Sequence, residues 1–133
     1  MTVAVAHQVS STSRIALAEA ARQASMRRTD LAVLHVVESL DLDIAAANRS
    51  GISDEVERVL TDSGLDVTWE LHLATGEENV ASAILSLVDD VSAEVLVIGA
   101  RRRSPVGKFF LGSVTQTLIL QAEIPVLVVK DHG

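Results

Sequence analysis

The chain has 133 residues, no cysteine, one Trp, two Phe, no Tyr and a net charge of −7. That length supports one domain, taken here as residues 1–133, which buries roughly two-thirds of its unfolded surface without staples. Lack of cysteine excludes disulfides, thiolate catalysis and zinc–thiolate sites, and the acidic balance with so few stacking rings argues against nucleic acid and anionic membranes.

Residues 2–7 (TVAVAH) are a β-branched apolar run that suits a strand buried on both faces, as in a parallel sheet. The preceding and following segments contain no run near ~18 apolar residues and no signal peptide, so a cytoplasmic location is expected. After the polar turn QVSSTS, Ile15, Ala18, Ala21 and Ala24 form one helical stripe over residues 13–27. Residues 31–37 (LAVLHVV) are a second strand. Residues 38–50 are mixed and weakly periodic, and read as a loop with a helical turn. Ser53 then caps a helix with Asp54 and Glu55 in its first turn, Val56, Val59 and Leu60 inward, and Gly64 at its end. Residues 66–74 alternate, with Val67, Trp69, Leu71 and Leu73 on one face, which predicts a half-exposed edge strand. Thr75-Gly-Glu-Glu78 has capping-box spacing and opens a helix to about Ser92. Residues 94–99 are the fourth strand. Gly112 or Ser113 opens the last helix, and residues 126–129 form the fifth strand. Such alternation implies an α/β fold with a parallel sheet and helices on both faces. Ligands of such sheets bind beyond the carboxyl ends of the strands, where strand order reverses.

Residues 95–117 carry the chemistry. Gly99, Gly107 and Gly112 permit close backbone approach, and Arg101, Arg102, Arg103 and Lys108 are a basic cluster in an acidic chain. Gly112 and Ser113 offer N–H groups at a helix start, beside the Ser113 and Thr115 hydroxyls, so the stretch can cradle phosphate. A solvated basic loop with an ordinary helix cap is the competing reading. Neither a Walker loop nor G-x-G-x-x-G is present. His7, His35, His72 and His132 have no metal-ligand spacing, and no metal site is expected. His7 ends the first strand beside the presumed site, and His35 reads as a semi-buried strand residue. Ser10, Ser11 and Ser13 have neither a nucleophile elbow nor an evident base, so no catalytic residue is assigned.

The stretch from Val95 onward resembles the universal stress protein family, which carries G-x2-G-x9-G-[ST] between its fourth strand and last helix. Gly99, Gly112 and Ser113 match, GSVTQ continues the match, and residues 125–129 read PVLVV. LAVLHVVE resembles the family's second strand, and Gly76 falls where the family often has glycine. The resemblance implies a three-layer sandwich of the adenine nucleotide alpha hydrolase-like kind. Its five-stranded parallel sheet has the order 3-2-1-4-5, with four helices. It also implies ATP, with Mg2+ if ATP is bound. Gly99, Gly112, Ser113, Val114 and Thr115 would then serve phosphate and ribose, and Val36 would meet adenine through its backbone. Two positions depart. Arg102 replaces the middle glycine of the signature, adding bulk or a phosphate grip. His7 stands where nucleotide-binding members place an acid.

In the order 3-2-1-4-5 the fifth strand is an edge. Val126, Leu127, Val128 and Val129 leave it uncharged and apolar on both faces, which invites pairing with a second copy in a homodimer. The leading functional reading is a stress-response regulatory protein that binds adenine nucleotide and is at most a weak ATPase. The alternative is a dimeric interaction module that does not bind ATP because of Arg102. An ATP-consuming enzyme would need an S-G-G-x-D-S-type first loop, which HQVSSTS lacks.

Overall fold

The computed structural model describes residues 2–7, 11–37, 42–75, 79–102, 109–110 and 112–131. The elements run β1 (Thr2–Ala6), α1 (Ser11–Arg27), β2 (Asp30–Val37), α2 (Leu42–Ser63) and β3 (Trp69–Thr75), followed by α3 (Val80–Asp90), β4 (Ala93–Arg102), β5 (Phe109–Phe110), α4 (Ser113–Gln121) and β6 (Val126–Asp131). Strands β3, β2, β1, β4 and β6 lie side by side in that order, every pairing parallel. This is the expected 3-2-1-4-5 sheet with its four helices, the long fifth strand being β6.

Strand alternation sorts the core into two layers. Val3 and Val5 of β1, Leu31 and Val33 of β2, and Val95 and Val97 of β4 face α1 and α2, where Leu17, Ala20, Ala24, Val56 and Leu60 meet them. On the other face, Ala4, Ala32, Leu34, Leu96 and Ile98 meet Ile84, Leu87 and Val88 of α3 and Leu118 of α4. The central strands are buried on both faces, so they read as unbroken apolar runs. β3 sits at one edge and is only half-buried, as its alternation predicts.

Two helix ends close with paired backbone bonds. At the end of α2, Leu65 N donates to Leu60 O at 3.2 Å and Gly64 N to Thr61 O at 3.2 Å, with Gly64 at φ 67°. The end of α1 repeats this with Thr29 N to Ala24 O and Arg28 N to Ser25 O, but there Arg28 takes the left-handed conformation, φ 54°.

Four expectations need correction. Residues 42–50 are not a loop, because α2 is one 22-residue helix that begins at Leu42. Its described residues before Ile52 are mostly exposed, so they carry no apolar period to betray the helix. The capping box does not open α3, since Asn79 is the N-cap and its side chain accepts from Ser82 N at 3.0 Å. Gly76, Glu77 and Glu78 lie outside the described residues. The first helix starts at Ser11, two residues earlier than its apolar stripe suggested.

The last correction concerns the basic cluster. β4 runs on to Arg102, so Arg101 and Arg102 belong to the strand and not to a loop. There they pair antiparallel with Phe110 and Phe109 of the unforeseen β5. Arg101 also pairs with Asp131 of β6. One residue pairs along two opposite edges, so β5 lies on the β1 side of β4, beyond the end of β1.

Candidate functional site

The sheet register gathers the expected residues at one end. β1 pairs with β2 through Val5 and Val33, and with β4 through Val5 and Val97. Two residues further along, His7, His35 and Gly99 stand level across the three central strands. Val36 is the next residue of β2, opposite Ala74 of β3, and is half-buried on the α3 face. This is where the order reverses: β1 leads through α1 to β2 on one side, while β4 lies on its other side.

α4 begins three residues after Phe110, and so within about 11 Å of that β5 residue, which pairs with Arg101 of β4. Gly112 is its N-cap, at φ −62° and ψ 162°, and no side chain among the described residues caps the first turn. Gln116 N bonds to Gly112 O at 3.0 Å, which begins the helical ladder. Among the described residues the first-turn N–H groups of Ser113, Val114 and Thr115 have no side-chain cap. Gly112 has an ordinary negative φ, and a Cβ built there meets nothing within 4 Å. Neither turn geometry nor packing among the described residues requires this glycine. An anion against the N–H groups would give it a purpose. Ser113 is exposed, Thr115 is half-buried, and Val114 packs against the α3–α4 core layer. Arg103, Gly107 and Lys108 lie outside the described residues, as do Ser10 and His132. The Arg102 side chain also falls outside the described part, so the structure places only its backbone.

His7 is where the structure adds most. It is the only buried polar residue among those described, and its side chain is fully enclosed. Its Nε2 lies 3.0 Å from Glu55 Oε2 of α2, and its Nδ1 lies 3.3 Å from His35 Nδ1. His35 Nδ1 also lies 3.2 Å from the His7 carbonyl oxygen. The His7 backbone N–H donates to Leu34 O at 2.8 Å, holding the end of β1 against β2.

These contacts determine the protons. A carbonyl oxygen only accepts, so the short contact is made by an N–H on His35 Nδ1. That one N–H serves both the His7 carbonyl and His7 Nδ1, which is therefore the bare nitrogen. His7 then carries its hydrogen on Nε2 and donates it to the Glu55 carboxylate. The rings meet edge to face, with centroids 5.3 Å apart and an interplanar angle of 63°. Burial holds the His35 imidazole below the usual histidine range, and its bond to the His7 carbonyl works the other way.

His7, expected only to end the first strand beside the presumed site, is thus tied to α2 and β2 as well. Glu55, read only as a first-turn acid of its helix, is the acceptor. His7 lies 48 residues from Glu55 and 28 from His35 along the chain, too far for any local spacing to signal. The clue available in sequence was that His7 and His35 both lie near the carboxyl ends of the first two strands.

The universal stress protein family model matches residues 1–130. A universal stress protein of Mycolicibacterium smegmatis is 40% identical over 120 residues, covering 90% of each chain. A solved universal stress protein from Archaeoglobus fulgidus is 32% identical with a TM-score of 0.80, and covers 98% of both chains. Another structure from that organism, in complex with dAMP, is 27% identical with a TM-score of 0.75 and the same coverage. On a shared sheet order, a matching signature and similarity along nearly the whole length, the chain belongs to the universal stress protein family.

Proposed function

We propose that this protein binds an adenine nucleotide at the carboxyl ends of β1, β2 and β4 and acts as a stress-response regulator, not as an enzyme. The observation that carries this reading is the N-terminus of α4, where among the described residues Gly112 leaves space beside three N–H groups with no side-chain cap. That arrangement fits a phosphate. Gly112, Ser113, Val114 and Thr115 would hold phosphate and ribose, Gly99 would let the backbone approach, and the Val36 backbone would meet adenine. The relative in complex with dAMP supports an adenine nucleotide as the ligand class. ATP with Mg2+ is the form we assign, with Arg102 as a further phosphate contact. No catalytic base is assigned, so any ATP hydrolysis is slow. A cysteine-free chain suits a reducing cytoplasm.

The protein is further proposed to be a homodimer through β6. In the described sheet β6 pairs with β4 alone, and Val126, Leu127, Val128 and Val129 are half-buried along its free edge. An open cleft lined by Ile15, Ala18, Glu19, Arg22, Ser63 and Leu65 reaches β6 at Val129. A second copy paired on β6 would cover both.

One observation favours the alternative of a dimeric interaction module without nucleotide. The His7 imidazole is committed to Glu55 and His35, so it offers no acceptor of the kind the replaced acid would supply. An Arg102→Gly variant, titrated with ATP by calorimetry, separates the roles of that residue. Weaker binding in the variant supports the phosphate grip, stronger binding means that the arginine obstructs, and unchanged affinity removes it from the site.

A further inference from the structure

We infer that the Glu55–His7–His35 chain is an acid-sensitive latch at the carboxyl end of the central strands, closed with one added proton and opened by a second. Three elements meet in it: the end of β1, the end of β2 and the middle of α2. The inference does not depend on nucleotide binding.

The proton inventory carries it. With both imidazoles neutral, His35 donates from Nδ1 and His7 donates from Nε2, and every short contact has one donor and one acceptor. A first proton placed on His35 Nε2 disturbs none of them, because Nδ1–H still faces the His7 carbonyl and His7 Nδ1. The second proton has only His7 Nδ1 to occupy. There it would set two N–H groups against each other across 3.3 Å, between two cations whose rings are 5.3 Å apart. The Glu55 carboxylate compensates one imidazolium at 3.0 Å and does not reach both. A first proton on His7 is no better, since His35 must then move its hydrogen off Nδ1 and give up the bond to the His7 carbonyl.

Few other charges intervene among the described residues. From α1, Ala16, Leu17, Ala20 and Ala21 face this layer, and Arg14 is exposed. From α2, Asp54 and Arg58 flank Glu55 and are also exposed. From β4, the neighbouring Val97, Ile98, Gly99 and Ala100 bear no charge. His7 is sealed from solvent, so the repulsion is relieved only by separating the rings. Movement of His7 pulls on its N–H bond to Leu34 O and thus on the β1–β2 seam.

Nitrogen-15 NMR of the full chain, without ligand, tests this directly. At pH 8 His7 should show the Nε2–H tautomer and His35 the Nδ1–H tautomer. On acidification His35 should take the first proton, with a midpoint below the ordinary value of about 6.5, while the amide signals of His7 and Leu34 stay in place. Those amides should shift only when a second proton enters the pair. The His35→Gln variant, which keeps an N–H donor but cannot take a proton, should lose the second step. Opposite tautomers at pH 8, or two independent titrations that leave the His7 and Leu34 amides unmoved, would overturn the inference. If the variant does not fold, the wild-type titration decides alone.

Discussion

At the scale of single residues, His7 shows how a departure from a family pattern acquires its own chemistry. A buried imidazole needs a partner on each nitrogen, and α2 and β2 supply them. Glu55→Ala should therefore destabilise the protein by about 1–3 kcal/mol, the cost of leaving the His7 N–H unpaired in a dry site. Glu55→Gln keeps an acceptor and should cost clearly less. Urea denaturation at pH 8 measures both, and equal losses would contradict the hydrogen-bond account. The pH dependence follows from His35. Its folded value is lowered, so the unfolded chain takes the proton first as pH falls. Stability is thus full above about pH 6.5, declines as pH drops from there through the lowered folded value, and His35→Gln should flatten that decline. An unfolding midpoint that rises on acidification in this window would reverse the sign. None of this was legible locally, because the partners come from three elements and meet only once the sheet is assembled.

At the scale of elements, legibility tracked burial. The strands announced themselves because β1, β2 and β4 are enclosed on both faces and read as continuous apolar runs. The buried half of α2 was read correctly from Val56 and Leu60, whereas its exposed first turns left no period to read. α3 showed a clear apolar stripe, but its start is set by the Asn79 side chain, which a competing Thr-x-x-Glu pattern obscured. The helix ends yield a sharp comparison. α1 and α2 stop with the same backbone geometry, yet α2 uses Gly64 in the left-handed position and α1 uses Arg28. Arg28→Gly should raise stability by roughly 0.5–1 kcal/mol, and Gly64→Ala should lower it by about 1 kcal/mol, both readable in thermal melts. Loss of stability in Arg28→Gly would mean that its side chain contributes more than its conformation costs.

At the scale of the whole molecule, the sheet order places two features at different borders. Reversal of the order beside β1 sets His7, His35 and Gly99 level at one end of the sheet, with Val36 the next residue of β2. The same order leaves β6 at the rim, apolar from Val126 to Val129 and charged at Lys130 and Asp131, where the strand runs past the expected end. Multi-angle light scattering at micromolar concentration should give twice the chain mass, and a stable monomer would remove the β6 interface. The site was half legible for a related reason. Gly99, Gly112 and Ser113 lie within one strand–helix connection, so their spacing survives in the sequence. The extension of β4 through Arg101 and Arg102 against β5 depends on pairing that no spacing records. The central claim remains that the open start of α4 receives the phosphates of an adenine nucleotide. Calorimetric titration of nucleotide-stripped protein with ATP and Mg2+ tests it most directly: the account predicts saturable binding of one nucleotide per chain, and the absence of heat and of any thermal shift at millimolar ATP would contradict it.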